Sequence, residues 1–588
     1  MSNIKNLIKK LSEHKIDHFL IPNSDQFLNE YIANSEKRIE FLTNFDGSNA
    51  FIILNKDRGY FFTDSRYLIA AKQQIDTNFF KIIDLSIETP SSFLLTNCAN
   101  KIIHFDPKLH SAQFINNLKK NNLQLKSIYD LYDQNPIDII WQNKIVKNKE
   151  IFLHKENYVG QSWKEKIKTL YSNLDKESDG IFLSSPESCS YLFNIRSFVI
   201  DYVPTCPSYA LISKNNDILL FLDVEDIEIE VKQYLSGVEI TNFKNLPSKI
   251  KSFCQKNNIK NIEIDLDQTN YHILNIIEIQ KLNVINKLDP VLLQKSVKNK
   301  TEINCIKEAH IKDSIAIIKF LYWIETRKDK SKISEIIAAN KLLSFRREEK
   351  DFICPSFETI SGFAENGAII HYKVTKNSNK YFNKDSLYLF DSGGQYQYGT
   401  TDITRTILVG QVTKKQKNDF TLVLKGHISL AQVKFPVGTR ADQLDILARQ
   451  YLWKEGKNYG HGTGHGLGYF LNVHEGPCAI SSKYNKIPLK EGMVLSNEPG
   501  LYIENEYGIR IENVILVKKS NFEGYLELET ISYAPIDINL INFSLLSKDE
   551  KEWINNYHQK IHSKVKENID NNLDNFLQNI IKNYEFNL

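Results

Sequence analysis

Asp391, Asp402, His465, Glu498 and Glu512 are four carboxylates and one imidazole spread over the last two-fifths of a 588-residue chain. Together they could hold two divalent metal ions. Each lies in a short segment of site-like composition: Leu387-Tyr-Leu-Phe-Asp391-Ser-Gly-Gly, Gly399-Thr-Thr-Asp402-Ile-Thr-Arg, His461-Gly-Thr-Gly-His465-Gly-Leu-Gly, Asn497-Glu498-Pro-Gly and Ile509-Arg-Ile-Glu512-Asn. Four carboxylates balance two divalent cations in charge, so the set can occupy a partly buried pocket once ions are bound. Oxygen-rich ligation with one imidazole and no thiolate suits Mn, Co, Zn or Fe rather than a structural zinc knot. Two such ions roughly 3.5–4 Å apart lower the pKa of a shared water and turn it into a nucleophile. The reaction class expected is metal-assisted hydrolysis.

The elements that must position these groups can be read from the flanking residues. Asp391 and Asp402 sit eleven residues apart, at or near runs of β-formers, with Gly393, Gly394 and Gly399 between them; the pattern predicts a hairpin-like pair of strands. Residues 461–468 alternate glycine with a side chain, and a strand period would place His461, Thr463, His465 and Leu467 on one face. In a straight strand the two imidazoles would stand roughly 13 Å apart, so both can reach one site only if the chain bends. Glu498 ends an apolar strand over 493–496, and Glu512 is expected inside a strand over 507–517, sharing a face with Arg510 and Val514. A carboxylate in so apolar a strand needs a partner. An ion pair of Glu512 with Arg405 or Arg510 is the plain alternative to metal, but two arginines cannot pair four carboxylates.

Composition narrows the class. The chain has 74 basic and 71 acidic residues, a formal net charge of +3 and 42% hydrophobic content, so no global field recruits nucleic acid or anionic lipid. No stretch approaches the roughly 18 consecutive apolar residues of a membrane span. Residues 1–11 mix charges into their apolar positions and read as an amphipathic helix rather than a secretory signal. Seven cysteines, an odd number with no CxxC pair, suggest reduced thiols and a cytoplasmic location.

The first half contains an internal repeat. Residues 16–23 match 179–186, 45–64 match 204–223, and 101–106 match 261–265, with offsets of 159 or 160 residues between Ala50 and Ala210, Asp64 and Asp223, and Asp106 and Asp265. The second and third strand patterns of each copy are separated by a polar turn, and helical patterns follow at 111–120 and 271–281. Two copies of one α/β unit, with parallel or mixed sheets flanked by helices, are therefore expected ahead of the metal-ligand region. The boundaries implied are 1–145, 146–294 and 295–588. A polar run, 147–149, follows the first copy. A charged linker, 295–301, is expected to lead into a helix over 302–325 capped by Thr301. The lysine- and asparagine-rich tail, 549–588, reads as a solvated helix.

Here the motifs resemble a known family. The order Asp, Asp, His, Glu, Glu is similar to that of the metallopeptidases with the pita-bread fold, which include methionine aminopeptidase, prolidase and aminopeptidase P. His461-Gly-Thr-Gly-His-Gly-Leu-Gly, Leu471-Asn-Val-His474-Glu-Gly-Pro and Gly508-Ile-Arg-Ile-Glu-Asn513 resemble the larger three-domain cytosolic aminopeptidase P family, and Phe62-Thr-Asp-Ser-Arg-Tyr67 and Tyr191-Leu-Phe-Asn-Ile-Arg196 extend the likeness forward. The resemblance implies an α/β (α+β) chain of two duplicated creatinase-N-like domains followed by a pita-bread catalytic domain with a C-terminal helical extension. It implies that Asp402 and Glu512 bridge two ions, with Asp391 on one and His465 and Glu498 on the other, and that manganese is the usual metal. It further implies His371, His461 and His474 as substrate and proton-handling groups, Arg510 behind the ligands, and a homodimer. The activity implied is removal of the first residue from peptides with proline at the second position, by attack of a hydroxide held between the ions. Prolidase activity on Xaa-Pro dipeptides, or a non-catalytic binding protein on the same fold, are the alternatives.

Overall fold

The computed structural model describes residues 2–142, 144, 150–222 and 227–586. Asp223, Lys147 to Lys149 and the boundary between residues 145 and 146 lie outside the described residues. By contact the chain forms two compact units, one of Met1–His154 with Gln161–Gln294, the other of Lys155–Gly160 with Lys295–Leu588.

In the first unit the repeat appears as two six-stranded sheets of one topology. The first runs Phe80–Asp84, Gly59–Thr63, Phe51–Asn55, His18–Pro22, Ile102–Phe105, Gln124–Ser127, and the second Glu239–Thr241, Ile218–Leu222, Ser208–Ser213, Gly180–Leu183, Asn261–Ile264, Asn283–Asn286. In both, the three strands around the hairpin pair antiparallel and the outer neighbours pair parallel. The central strands are apolar on both faces, as Ile52, Ile53 and Leu54 show, because helices or the sister copy cover them. Asp106 and Asp265, matched across the repeat, each accept the backbone N–H two residues on, at 2.9 and 3.0 Å, and so stabilise equivalent turns.

The copies also pack on each other through equivalent parts. Ser111 caps helix Ala112–Lys120 and Asn270 caps helix Tyr271–Ile279. These caps form a β-bridge, with Ala112 N–H donating to Thr269 and Tyr271 N–H to His110. One core runs through both, taking Leu20, Ile53 and Ile115 from the first and Phe182, Leu211 and Ile273 from the second.

The second unit is built on a three-stranded antiparallel sheet, Ile360–Phe363, Ser386–Ser392, Ile403–Val409, and a six-stranded sheet in the order Lys434–Pro436, Tyr525–Thr530, Asn513–Lys519, Val494–Asn497, Gly464–Gly466, Glu475–Ile480. Helices Lys300–Glu325, Lys414–Ala431 and Asp445–Trp453 accompany them. Three expectations are corrected here. Helix Lys300–Glu325 is capped by Asn299, not Thr301; Asn299 accepts Glu302 N–H and Glu302 accepts Asn299 N–H, a closed capping box that leaves Thr301 inside the first turn. Within the expected charged linker Lys295, Ser296 and Lys298 are buried, with Lys295 and Lys298 closing on the Glu475 carboxylate, Lys295 at 3.0 Å. The tail is not a solvated helix. Helices Lys548–Val565 and Asn571–Phe586 bury Ile554, Tyr557, Ile561, Val565, Leu573 and Leu577 in the core of this unit, because the apolar residues fall on one face and the lysines and asparagines on the other.

No described helix is long and apolar enough to cross a membrane. All seven cysteines are free.

Candidate metal centre

Asp391 lies in strand Ser386–Ser392, and Asp402 immediately precedes strand Ile403–Val409, its antiparallel neighbour, in which Thr404 faces Asp391. The hairpin expectation holds, with an inserted ribbon: Gly394–Tyr396 and Gly399–Thr400 leave the pair to form a separate small sheet with Phe352–Pro355. Residues 461–468 depart from the expected alternation. Only Gly464–Gly466 is strand, its register shifts between His465 and Gly466, and Thr463 turns away to donate to Asp445 at 2.5 Å. The glycines serve close backbone approach in this strand. A Cβ on Gly464 would stand 1.9 Å from the Ser496 carbonyl oxygen and one on Gly466 2.3 Å from that of Glu475.

Glu498 follows strand Val494–Asn497, as expected. Glu512 is not inside a strand. It falls between Tyr507–Arg510, which pairs with Gly500–Ile503, and Asn513–Lys519, which pairs with Val494–Asn497. One continuous apolar run thus serves two sheets, and Glu512 occupies the crossing. Arg510 and Glu512 are not ion partners. Arg510 instead donates to Asp391 Oδ2 at 2.7 Å, while Arg405 donates to the Glu512 backbone oxygen and not to its carboxylate.

The five side chains converge. Ligand atoms of Asp402, His465 and Glu512 lie within 4.8 Å of one another, and His465 Nε2 is 3.3 Å from Asp402 Oδ2 and 3.5 Å from Glu498 Oε1. His465 Nδ1 donates to the Gly466 carbonyl at 2.9 Å, which leaves Nε2 as the lone-pair nitrogen aimed at the carboxylates when the ring is neutral. Thr404 donates to Glu512 Oε2 at 2.8 Å and accepts from Arg510 Nε at 3.1 Å; Ser496 donates to Glu498 Oε1 at 3.1 Å.

The donor set fits divalent cations. Burial and the charges of Asp402 and Glu498 push the Asp391 carboxyl up to about 7 against the pull of Arg510. Burial and the carboxylates around it drive Glu512 well above its usual range and raise Glu498 also. Burial opposes charge on His465, yet its hydrogen bond to Asp402 and the Glu498 charge hold it up at about 9. Asp391 Oδ1 and Asp402 Oδ1 are buried with no hydrogen-bond partner among the described residues. Without cations, carboxylates so close in a buried pocket repel one another; divalent cations at the orphaned oxygens would relieve both costs.

Three histidines frame this cluster. His474 stacks edge-on to His465 with ring centroids 4.4 Å apart, and His371 lies 6.5 Å from His474. His461 stands to one side. Its Nδ1 faces the Gly462 carbonyl at 2.7 Å, so Nε2 accepts from the Tyr502 hydroxyl at 2.9 Å; Tyr502 in turn accepts from Arg510 Nη1 at 2.7 Å. A hydrogen-bonded chain therefore links His461, Tyr502, Arg510 and Asp391.

Sequence reasoning missed Tyr502, although it lies four residues after Glu498 in the paired strand Gly500–Ile503. It also missed Glu335, whose fully buried carboxylate accepts from Phe363 N–H, Asn366 Nδ2, the Tyr372 hydroxyl and Lys380 N–H and so closes the loop that carries His371. Its donors come from four places in the chain, and spacing alone does not reveal such a hub.

Comparison with known proteins places this geometry. The model of Metallopeptidase family M24 matches residues 304–519, and that of the C-terminal region of peptidase M24 matches 524–584. Creatinase/Prolidase N-terminal domain models match 3–134 and 142–302, one for each copy of the repeat. The chain is 34% identical to a probable Xaa-Pro aminopeptidase P of Laccaria bicolor, over 95% of this chain and 89% of that one. It is 36% identical to Xaa-Pro aminopeptidase 2 of Homo sapiens, over 94% and 84%. Among solved structures, an X-prolyl aminopeptidase from Caenorhabditis elegans, described as a cytosolic enzyme with a di-nuclear active site, superposes with a TM-score of 0.92 at 30% identity over 99% of both chains. An Xaa-Pro dipeptidase from Bacillus anthracis gives 0.51 at 26% identity, with 64% of this chain covered and 99% of that one.

Proposed function

The chain belongs to metallopeptidase family M24, and we propose that it is a dinuclear metal aminopeptidase that hydrolyses the N-terminal Xaa-Pro bond of peptides and releases the first residue. The observation that carries this reading is the clustering of four carboxylates and one imidazole, largely buried, with orphaned oxygens on Asp391 and Asp402. In it Asp391, Asp402, His465, Glu498 and Glu512 would hold two divalent ions, manganese by preference, with Asp402 and Glu512 as the ligands that would serve both. Such ions, when bound, supply a nucleophile at neutral pH and polarise the scissile carbonyl.

The chain's own groups do the rest. Arg510 holds Asp391 in place and passes its alignment through Tyr502 to His461. The nitrogen leaving an Xaa-Pro bond is a tertiary amide and must be protonated, and the oxyanion formed at the carbonyl needs a donor. His371, His461 and His474 are assigned to these tasks, and imidazoles can do both near neutral pH. A separate enzyme is needed for such bonds because proline lacks an N–H and its φ is fixed, so proteases that bind substrates as added strands lose a hydrogen bond and meet a ring. Division into domains 1–145, 146–294 and 295–588, a cytoplasmic location and a homodimer complete the proposal.

The dipeptidase alternative is weaker because the relatives that match almost the whole chain are Xaa-Pro aminopeptidases. The solved dipeptidase accounts for 64% of this chain, whereas the X-prolyl aminopeptidase accounts for 99%. Arg-Pro-Pro-type tripeptides should therefore be cleaved at the first bond with kcat/KM at least ten-fold above Xaa-Pro dipeptides; turnover confined to dipeptides would reverse the choice. His461→Ala should keep its two metal ions, measured by elemental analysis, and lose roughly 10²-fold in kcat. A fully active His461→Ala protein would remove His461 from the proton-handling set.

A further inference from the structure

Two asparagines accompany the glutamates in the motifs Asn497-Glu498 and Glu512-Asn513, and the proposed reaction gives neither of them a task. They are register partners on adjacent antiparallel strands, and both are wholly buried. Glu498 and Glu512 stand where this strand pair opens.

One side chain ties the two asparagines together. His427, buried in helix Lys414–Ala431, has Nδ1 3.1 Å from the Asn497 carbonyl oxygen and Nε2 3.0 Å from Asn513 Nδ2. A carbonyl can only accept, so Nδ1 carries the proton and Nε2 is bare and accepts from the Asn513 amide. Asn497 closes the loop by donating from Nδ2 to the His427 carbonyl at 3.0 Å.

The orientation of Asn513 is equally determined. Its Oδ1 accepts from Arg405 Nη2 at 2.8 Å and from the Tyr557 hydroxyl at 3.0 Å, and guanidinium is a donor only. Arg405 also donates to the Glu512 backbone oxygen, and Tyr557 comes from the C-terminal helix Lys548–Val565. Burial and the nearby Arg405 charge lower the His427 imidazole to about 3, consistent with the neutral tautomer that the geometry requires.

We propose that His427 is a positioning residue for the metal centre: its neutral imidazole locks the strand ending at Glu498 to the strand beginning after Glu512 and sets the spacing of those two carboxylates. The proposal rests on the reading of Glu498 and Glu512 as ligands. His427 touches neither carboxylate, so its effect is on where the ligands stand before any ion arrives. Residues that orient metal ligands from behind typically contribute 10- to 100-fold in metal affinity.

The test is Mn(II) titration, by calorimetry with a competing chelator, of the metal-stripped full-length chain and its His427→Leu, His427→Gln and Glu512→Ala variants, well below the melting temperature of each. His427→Leu should weaken Mn(II) binding by 10- to 100-fold while two ions still bind at saturation. His427→Gln, whose amide oxygen can accept from Asn513 as Nε2 does, should recover part of that loss; this rescue separates positioning from packing. Should the leucine variant not fold, the glutamine variant alone decides, with a several-fold loss expected and unchanged affinity overturning the proposal. Unchanged affinity in His427→Leu with Glu512→Ala defective overturns the role of His427 alone. Unchanged affinity in both variants overturns the ligand reading, and the proposal with it.

Discussion

Glu512→Ala is expected to abolish tight metal binding and to lower peptide turnover by at least about 10³-fold, the equivalent of roughly 4 kcal/mol of transition-state stabilisation. Glu512 is 1% exposed, its carboxylate lies within 4.8 Å of the ligand atoms of Asp402 and His465, and its backbone is held by Thr404 and Arg405. Alanine at this position removes both carboxylate oxygens from the cluster that would hold the ions. The fold should survive. Burial and surrounding carboxylates already push Glu512 up, so in the metal-free chain ionising it is costly and its removal takes that cost away. The expected result is a metal-free variant that melts within a few degrees of the metal-free parent, yet retains no stoichiometric metal after dialysis. A variant that still carries two ions per chain would exclude Glu512 from the ligand set.

The largest expected effect on stability lies nearby, at Glu475. This carboxylate is 4% exposed and closes on both Lys295 and Lys298. Glu475→Ala removes the carboxylate on which both buried ammonium groups close, and breaking a buried pair by removing one partner typically costs about 3–5 kcal/mol. Calorimetry of the metal-free chain should show the transition of the C-terminal unit lowered by roughly 10 °C. Replacing all three residues together, as Lys295→Met, Lys298→Met and Glu475→Leu, should return most of the loss, because well-packed apolar side chains carry no desolvation cost. A Glu475→Ala protein as stable as the parent would show that water reaches and solvates the lysines. Glu475 directly follows His474, so the same ion cluster anchors one of the histidines beside the metal pocket.

The repeat and the candidate ligand set were legible for the same reason: both are written in local patterns. Apolar strands closed by turn residues recur at a constant offset, and both copies fold into sheets of one topology. In a thiolate-free site for divalent ions the side-chain ligands are mostly Asp, Glu and His, so residue type narrows the choice. Errors arose where a local pattern had two structural outcomes. The run over 507–517 has one apolar rhythm but serves two sheets, and the change of partner at Ile511 and Glu512 leaves no mark on composition. Lys295 and Lys298 look like solvated linker because nothing within the linker itself shows that Glu475 will fold against them. The C-terminal lysines and asparagines hid two amphipathic helices, since average polarity says little when polar residues occupy only one face.

By itself the sequence determined the duplicated α/β architecture, the identity of the five converging side chains and the class of chemistry they can support, because backbone periodicity and ligand type are properties of short segments. Only the tertiary structure decided which atoms meet. It gave Asp391, rather than Glu512, the Arg510 guanidinium, set His465 against the carboxylates and His461 against Tyr502, and brought His427, Arg405 and Tyr557 together around Asn513. Those contacts join residues up to 152 positions apart. Their partners are selected by burial, since each buried polar group must find a donor or acceptor wherever the fold delivers one, and that choice is made in space rather than along the chain.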